Sequence, residues 1–316
     1  MATTWSKRCA VALVTTLTAF GVFAPPAGAH GTCEDHEYQT TDGTHDNDGD
    51  GIGCEGLPPA PSPAPAPSPT PSVVGGATNA DGTGLWVGFA NGDVQIVGTA
   101  TDHGDAATGA LNAPVVGIAP TASGDGYWLL GRAGGVFSYG DAVFHGSTGA
   151  TRLNQPIVSL ASDPEGRGYW FVAADGGIFA FGAPFHGSAG NLALAQPVVG
   201  MAPTTTGGGY WLVARDGGIF SFGDATFSGS TGAIALNQPI VGMAADPDGK
   251  GYWFVAADGG VFAFDAAFHG SGVGHVAAGD AVVGMVAHPD GGYWLTTANG
   301  AVVGFGAAAD VVRAAA

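Results

Sequence analysis

The chain has 316 residues, of which 57 are glycine and only 11% are charged, and its formal net charge is -18 at pH 7. Low charge and abundant glycine favour many short strands joined by tight turns over helices. The strong negative charge excludes binding of nucleic acid through a basic surface.

The first residues predict an export signal over residues 1–29. Lys7 and Arg8 precede a mostly apolar stretch from Cys9 to Phe23, and Ala27-Gly28-Ala29 supplies small residues for cleavage. The apolar stretch is too short for a membrane span, and no second apolar run of that length follows it. We therefore expect a secreted protein with no membrane span, held at a cell surface or cell wall only by binding something there.

Residues 30–57 form an acidic segment without lysine or arginine. Removal of the signal leaves Cys33 and Cys54, and an isolated pair in an oxidising compartment has one possible connectivity. In the chain-entropy model, closing a loop of this size stabilises the segment by roughly 3 kcal/mol. Because so short a segment cannot build a useful core, we predict a small disulfide-closed module.

Alternating carboxylates in this module predict a calcium site. Asp46, Asp48 and Asp50 stand at alternate positions, as in the first half of an EF-hand loop. Gly51 permits the sharp turn that follows, and the backbone carbonyl of Ile52 would be a further ligand. Oxygen ligands of this kind favour calcium over zinc or copper.

The end of the segment departs from an EF-hand, because Leu57 replaces the closing glutamate and Pro58-Pro59 prevent an exiting helix. The pattern D-x-D-x-D-G-x-x-C-E resembles the Excalibur domain, an extracellular calcium-binding region with two cysteines. The resemblance implies that the three aspartates bind calcium and that Glu55 is a fourth ligand. The alternatives are a solvated acidic loop that binds nothing tightly and a transition-metal site at His36 and His45.

Residues 58–72 predict a linker, because the eight prolines between Pro58 and Pro71 favour an extended polyproline II conformation. At about 3.1 Å per residue, such a spacer would hold the flanking parts of the chain roughly 45 Å apart.

From residue 73 to residue 316 the chain repeats itself every 41 or 42 residues. A recurring Gly-x-Trp pattern marks six repeats, at Trp86, Trp128, Trp170, Trp211, Trp253 and Trp294. The repeats begin near Val73, Val115, Ile157, Val198, Ile240 and Val282. Four short β-prone runs per repeat, separated by Gly/Asp turns, predict a four-stranded antiparallel meander. This pattern predicts an all-β fold, a six-bladed β-propeller of four-stranded blades, with an open β-solenoid as the alternative.

The fourth run of the best repeats is Phe268-His-Gly-Ser, and residues 309–312 form a weak fourth run in the last repeat. The repeats resemble the glycine-rich Asp-Gly-Gly-Ile-Phe-x-Phe-Gly repeats of secreted actinobacterial proteins. This resemblance implies that the repeats are extracellular and belong to this type of repeat. It does not indicate a ligand.

Recurring aromatic and histidine side chains are interpreted as structural. The tryptophans, most of them beside a tyrosine, recur in every repeat, which fits a core between blades. His145, His186 and His269 recur in Phe-His-Gly-Ser, and Ser228 takes their place in the fourth repeat. Because equivalent positions on different blades lie too far apart to share a metal, we interpret them as hydrogen-bonding residues at strand ends.

One end of the predicted blades is the candidate ligand face. Three aspartates precede Gly-Gly in the turn between the second and third strands, where Asp-Gly suits a tight hairpin. Because successive strands alternate in direction, this turn lies on the same face as the links between blades. The predicted face consists of Asn154, Gln155, Asp175, Gln196, Asp216, Asn237, Gln238 and Asp258.

The sequence contains no nucleophile elbow, phosphate loop or metalloprotease helix, and we name no catalytic residue. We expect a secreted calcium-binding protein whose propeller recognises an extracellular protein or glycan. The alternatives are a secreted propeller enzyme, either a polysaccharide hydrolase or a lyase with the calcium module as accessory, and a structural surface component. An enzyme predicts acids or histidines clustered at the channel mouth, whereas a binding module predicts an exposed aromatic or amide-rich face.

Overall fold

The computed structural model describes residues 72–109 and 111–315, with side chains up to residue 311. The predicted export signal, acidic module and most of the linker lie outside the described residues. Within the described part, eighteen strands and one helix follow in chain order. The strands are β1 Val73–Thr78, β2 Gly84–Phe89, β3 Val94–Gly98, β4 Val115–Pro120, β5 Gly126–Gly131, β6 Val136–Gly140, β7 Ile157–Ser162, β8 Tyr169–Ala173, β9 Ile178–Phe181, β10 Val198–Pro203, β11 Gly209–Ala214, β12 Ile219–Gly223, β13 Ile240–Ala245, β14 Tyr252–Ala256, β15 Val261–Phe264, β16 Val282–Ala287, β17 Gly292–Thr297 and β18 Val302–Gly306, and the helix is α1 Ala308–Ala315.

The strands form six antiparallel sheets, and each sheet contains the three consecutive strands of one repeat. The six predicted repeat starts are each the first residue of a first strand, so the repeat boundaries are confirmed. In every sheet the second strand lies between the other two, and its residues are almost all buried. A strand covered on both faces needs an unbroken apolar run, which is what the Gly-Tyr-Trp-Leu-Val-Ala sequence of β11 supplies.

The hydrophobic core lies between the sheets. Each of its six clusters combines side chains from two neighbouring repeats. One cluster, for example, contains Trp170 of the third repeat together with Tyr210 and Leu212 of the fourth. The six repeat tryptophans are at most 3% exposed, which confirms their predicted place in the core between repeats.

The six sheets form a closed cycle. Leu85 of the first repeat and Trp294 of the last belong to the same buried cluster. The backbone N–H of Val73 donates to the carbonyl of Ala298, in the turn after β17, at 3.3 Å. The equivalent bond between the first two repeats runs from the N–H of Val115 to the carbonyl of Ala90. An open solenoid would leave the first and last repeats apart, so these contacts favour a closed arrangement over that alternative.

The prediction of a fourth strand in each repeat is wrong, because the segment that follows each third strand contains no strand. Its backbone carbonyls accept hydrogen bonds from side chains instead. The carbonyl of Pro184 accepts from Trp170 Nε1 at 2.8 Å, and the carbonyl of Gly187 accepts from the hydroxyl of Tyr210 at 2.6 Å. These acceptors are therefore already occupied where a fourth strand would need them.

The glycine of the Phe-His-Gly-Ser motif allows this segment to approach the next repeat closely. Gly187 has a φ of +132°, and a Cβ there would lie 2.5 Å from the ring of Phe222. The preceding His186 ring packs against Trp170 and Tyr210, at centroid distances of 6.3 and 5.6 Å. The predicted position of these histidines at strand ends is therefore corrected: they lie in irregular segments, each at a different junction between sheets.

Helix α1 closes the junction between the last repeat and the first. The predicted weak fourth strand at residues 309–312 is helical. Ala308 of this helix is fully buried against Leu85 and Trp294, and Leu85 stands where the other repeats have a tyrosine. Among the described residues Trp294 Nε1 has no hydrogen-bond partner, because the segment that would supply one is replaced by the helix.

We predict that Tyr210→Phe lowers the free energy of unfolding by roughly 1–3 kcal/mol. Burial raises the pKa of the Tyr210 hydroxyl, so the group stays protonated and donates to Gly187 while accepting from the N–H of His186 at 3.2 Å. The substitution leaves both backbone groups without a partner. Urea denaturation measures the change. Tyr139→Phe is the control, because the Tyr139 hydroxyl has no hydrogen-bond partner in the described part; equal losses would show that the contact does not hold the segment.

Leu85→Tyr restores the tyrosine of the other repeats, yet we expect it to destabilise the protein by about 1–3 kcal/mol. The larger side chain must enter a fully buried site that helix α1 covers. Leu85→Met keeps the side-chain volume nearly constant and should lower the free energy of unfolding by less than about 1.5 kcal/mol. Denaturation of both variants tests the role of the helix. If Leu85→Tyr is as stable as the wild type, helix α1 does not fill the space that the tyrosine occupies in the other repeats.

Candidate functional site

All residues of the predicted N-terminal site lie outside the described part of the chain. These are the calcium ligands Asp46, Asp48, Asp50, Ile52 and Glu55 and the disulfide cysteines Cys33 and Cys54. Within residues 72–109 and 111–311, no group of three or more His, Cys, Asp or Glu side chains is placed to hold a metal ion. The calcium site and the disulfide therefore stay predictions.

A central cavity of about 360 Å³ is lined by the six first strands. Its lining consists of valine, glycine, alanine, proline, methionine, isoleucine and leucine, with hydroxyl side chains only at Ser159 and Ser162. No lining residue carries a carboxylate, an imidazole or a basic group. The cavity therefore lacks the paired acids that hydrolysis of a glycosidic bond requires.

Three further pockets lie at successive junctions between repeats, and together they form the pocket arc. The first is lined by Arg132 and by the link Asn154-Gln155-Pro156. The second is lined by Asp175 and by Gln196 and Pro197 of the next link. The third is lined by Arg215-Asp216 and by Asn237-Gln238-Pro239. Their volumes are about 360, 310 and 290 Å³ in that order.

The pocket arc is continuous, because neighbouring pockets share a glutamine. Gln155 lines the first and second pockets, and Gln196 lines the second and third. Both side chains are exposed. An elongated ligand can therefore contact all three pockets without leaving the surface.

Backbone hydrogen bonds fix the turns and links that form the arc. The N–H of Ala174, in the turn after β8, donates to the carbonyl of Pro156 at 3.0 Å, and the N–H of Arg215 donates to that of Pro197 at 2.9 Å. The N–H of Val198 then donates to the carbonyl of Ala174 at 2.9 Å, which ties the next repeat to the same turn. The arc is thus a rigid part of the fold.

The three predicted face aspartates stabilise their own turns. The carboxylates of Asp175, Asp216 and Asp258 each accept a hydrogen bond at 3.0 Å from the backbone N–H two residues later. One oxygen of each carboxylate is therefore used locally, as an Asx turn requires. Asp175 and Asp216 also line the arc, whereas Asp258 lines none of its three pockets.

The structure thus brings seven of the eight predicted face residues together and separates the eighth. It also adds Arg132 and Arg215 to this surface, with Arg152 next to lining residues in sequence, and none of the three was predicted from the sequence. Arg132 and Arg215 line the first and third pockets, and Arg152 lies between Thr151 and Leu153 of the first. Alignment of the repeats could have indicated Arg132 and Arg215. They stand at the turn position where two other repeats have Ala174 and Ala257.

A second set of exposed side chains follows the third strands. These are phenylalanines at equivalent positions of four consecutive repeats, each 58–61% exposed: Phe144, Phe185, Phe227 and Phe268. Three of them precede the histidines packed between the sheets, Phe227 precedes Ser228, and none of the four lines the pocket arc.

No helix in the described part is long and apolar enough to cross a membrane. No protein-family model matches the chain, and the search of curated proteins finds no match either. The resemblance of the acidic segment to the Excalibur domain and that of the repeats to actinobacterial proteins therefore stay predictions from the sequence motifs.

Proposed function

We propose that this protein is a secreted, non-enzymatic recognition protein that combines a six-bladed β-propeller with an N-terminal calcium-binding module. The observation that carries the proposal is the pocket arc. Its pockets repeat at successive junctions, expose amide side chains and are connected to one another. A surface of this kind suits recognition of an extracellular protein or glycan.

Three features support the propeller. The sheets form a closed cycle, the first strands surround a central cavity, and the tryptophans pack between neighbouring sheets. Blades of three strands with an irregular outer segment differ from the four-stranded blades expected from the repeat pattern. The outer segment still covers the third strand, because its carbonyls bind the tryptophan and tyrosine side chains.

The described surfaces favour recognition over catalysis. A polysaccharide hydrolase needs two carboxyl groups on either side of the scissile bond. The central cavity supplies none, and the pocket arc supplies Asp175 and Asp216 in different pockets, each already bonded to its own turn.

The calcium module is proposed from the chemistry of its donors. Asp46, Asp48, Asp50 and Glu55 offer only carboxylate oxygens, which suit a hard divalent cation, and the carbonyl of Ile52 adds a neutral oxygen. Bound calcium would offset the mutual repulsion of these carboxylates and order the loop that the Cys33–Cys54 disulfide is proposed to close. The module is an accessory to recognition, and its metal is structural.

Calorimetric titration of the full chain with calcium should show binding with a Kd of roughly 10⁻⁵ to 10⁻³ M. Asp48→Ala removes a central ligand and should weaken binding at least about tenfold, since an oxygen ligand and its charge are lost together. Asp42→Ala removes a carboxylate outside the alternating motif and is the matched control. No heat at millimolar calcium, or equal losses in both variants, would refute the site.

Substitution of the shared and exposed glutamines should remove recognition. We expect Gln155→Ala combined with Gln196→Ala to weaken binding of the full chain to its target at least about tenfold, because a few residues near the centre of an interface carry most of its binding energy. Biolayer interferometry against peptidoglycan fragments, a glycan array and extracellular proteins, with calcium and with EGTA, measures this. Gln95→Ala changes an exposed glutamine on β3 and is the control. If every bound target also binds the double variant as tightly as the wild type, the arc is not the recognition surface.

A further inference from the structure

The cations that lie free on the described surface gather at the pocket arc. Between residues 72 and 311 the chain has five lysines and arginines: Arg132, Arg152, Arg167, Arg215 and Lys250. The Arg167 guanidinium is paired with Asp163 and Glu165, and the Lys250 amine lies 3.9 Å from the carboxylate of Asp248. The other three have no ion-pair partner among the described residues. Arg132 and Arg215 line the arc, and Arg152 lies in sequence between Thr151 and Leu153, which line its first pocket.

This placement makes the arc locally attractive to anions on a strongly acidic protein. The net charge of -18 repels anions at long range, but charges on a surface are screened beyond about 8–10 Å at physiological ionic strength. At contact distance, Arg132 is the one charged residue that lines the first pocket, and Arg215 neighbours Asp216 in the third. The second pocket contains Asp175 and no basic residue. Anionic groups are therefore favoured at the two ends of the arc and disfavoured at its centre.

The walls of the pockets favour peptides over sugars. Each pocket contains a proline and a leucine, and the second and third add Leu192 and Ile234, which are 55% and 56% exposed. No aromatic ring lines any of the three, so the stacking platform that sugar rings commonly use is missing. Aliphatic walls bind apolar side chains, and exposed glutamine amides both donate to and accept from peptide groups.

We propose that the pocket arc binds an extended acidic peptide, with carboxylates at the two ends of the bound segment and apolar side chains at its centre. This inference rests on the proposed recognition function and specifies its ligand. Arg132 and Arg215 bind the terminal carboxylates, and Gln155 and Gln196, at the boundaries between pockets, bond the backbone. The leucines and prolines accept the intervening side chains.

Selection from a library tests this without knowledge of the natural partner. Random peptides of about 12 residues, which span roughly 40 Å when extended, are displayed on phage and selected on the immobilised full chain in calcium. We expect the enriched peptides to contain Asp or Glu flanking Leu or Pro. A synthetic enriched peptide should bind the double variant R132A/R215A at least about tenfold more weakly than the wild type, and added NaCl should weaken wild-type binding.

Lys250→Ala is the matched control for charge, because it removes a cation from the turn between β13 and β14, away from the arc. It should leave peptide affinity within about twofold. Circular dichroism confirms that both variants are folded, which is expected because Arg132, Arg215 and Lys250 are exposed. The proposal is overturned if the enriched peptides lack acids, or if R132A/R215A binds them as tightly as K250A does.

Polygalacturonate, an anionic polysaccharide, separates the ligand assignment from the recognition function. If it binds the wild type, loses affinity with R132A/R215A, and no peptide is enriched, the arc is a recognition surface for an acidic glycan and the peptide assignment fails. If neither probe depends on the two arginines or the shared glutamines, recognition by the arc fails as well.

Discussion

A tyrosine hydroxyl at the start of a second strand binds the backbone of the preceding repeat, and this contact sets the geometry between neighbouring sheets. The hydroxyl of Tyr210 donates to Gly187 and accepts from His186, and the same pair of bonds recurs at Tyr169 and Tyr293. Each such bond contributes about 1 kcal/mol, whereas each buried tryptophan or tyrosine ring contributes roughly 4–6 kcal/mol through the area it removes from water. Burial supplies the stability, and the hydroxyl fixes the position at which the outer segment is held.

The need to cover both apolar faces of every sheet explains why the six sheets form a closed cycle. A sheet of three strands with a fully buried middle strand cannot cover both of its faces alone, so every sheet needs a neighbour on each side. At the junction of the last and first repeats the outer segment is absent, and helix α1 and Leu85 replace the tyrosine contact with apolar packing. At this junction apolar packing therefore takes the place of the tyrosine hydroxyl, beside the backbone hydrogen bond from Val73 to Ala298.

The pocket arc is a consequence of the contacts between successive repeats. The backbone bonds between turn and link that tie each repeat to the next also place the exposed glutamines, the arginines and the aliphatic side chains beside one another. A ligand therefore meets turns and links whose backbone is already held in position, which limits the entropic cost of ordering the backbone on binding. The residues that line the central cavity, by contrast, carry no titratable side chain.

The sequence by itself determined the number of repeats, the start of each first strand and the burial of the tryptophans. These follow from local rules: apolar runs, Asp-Gly turns and a constant period require no knowledge of distant contacts. It also predicted that the Asp175 and Asp216 turns lie beside the links, since strand direction alternates along a meander. Only the tertiary structure decided that the Phe-His-Gly-Ser segment is irregular, because its β propensity is overridden by side chains of two repeats that occupy its carbonyls. Only the tertiary structure showed that Arg132 and Arg215 belong to the arc, because the pockets they line are formed where separate repeats meet.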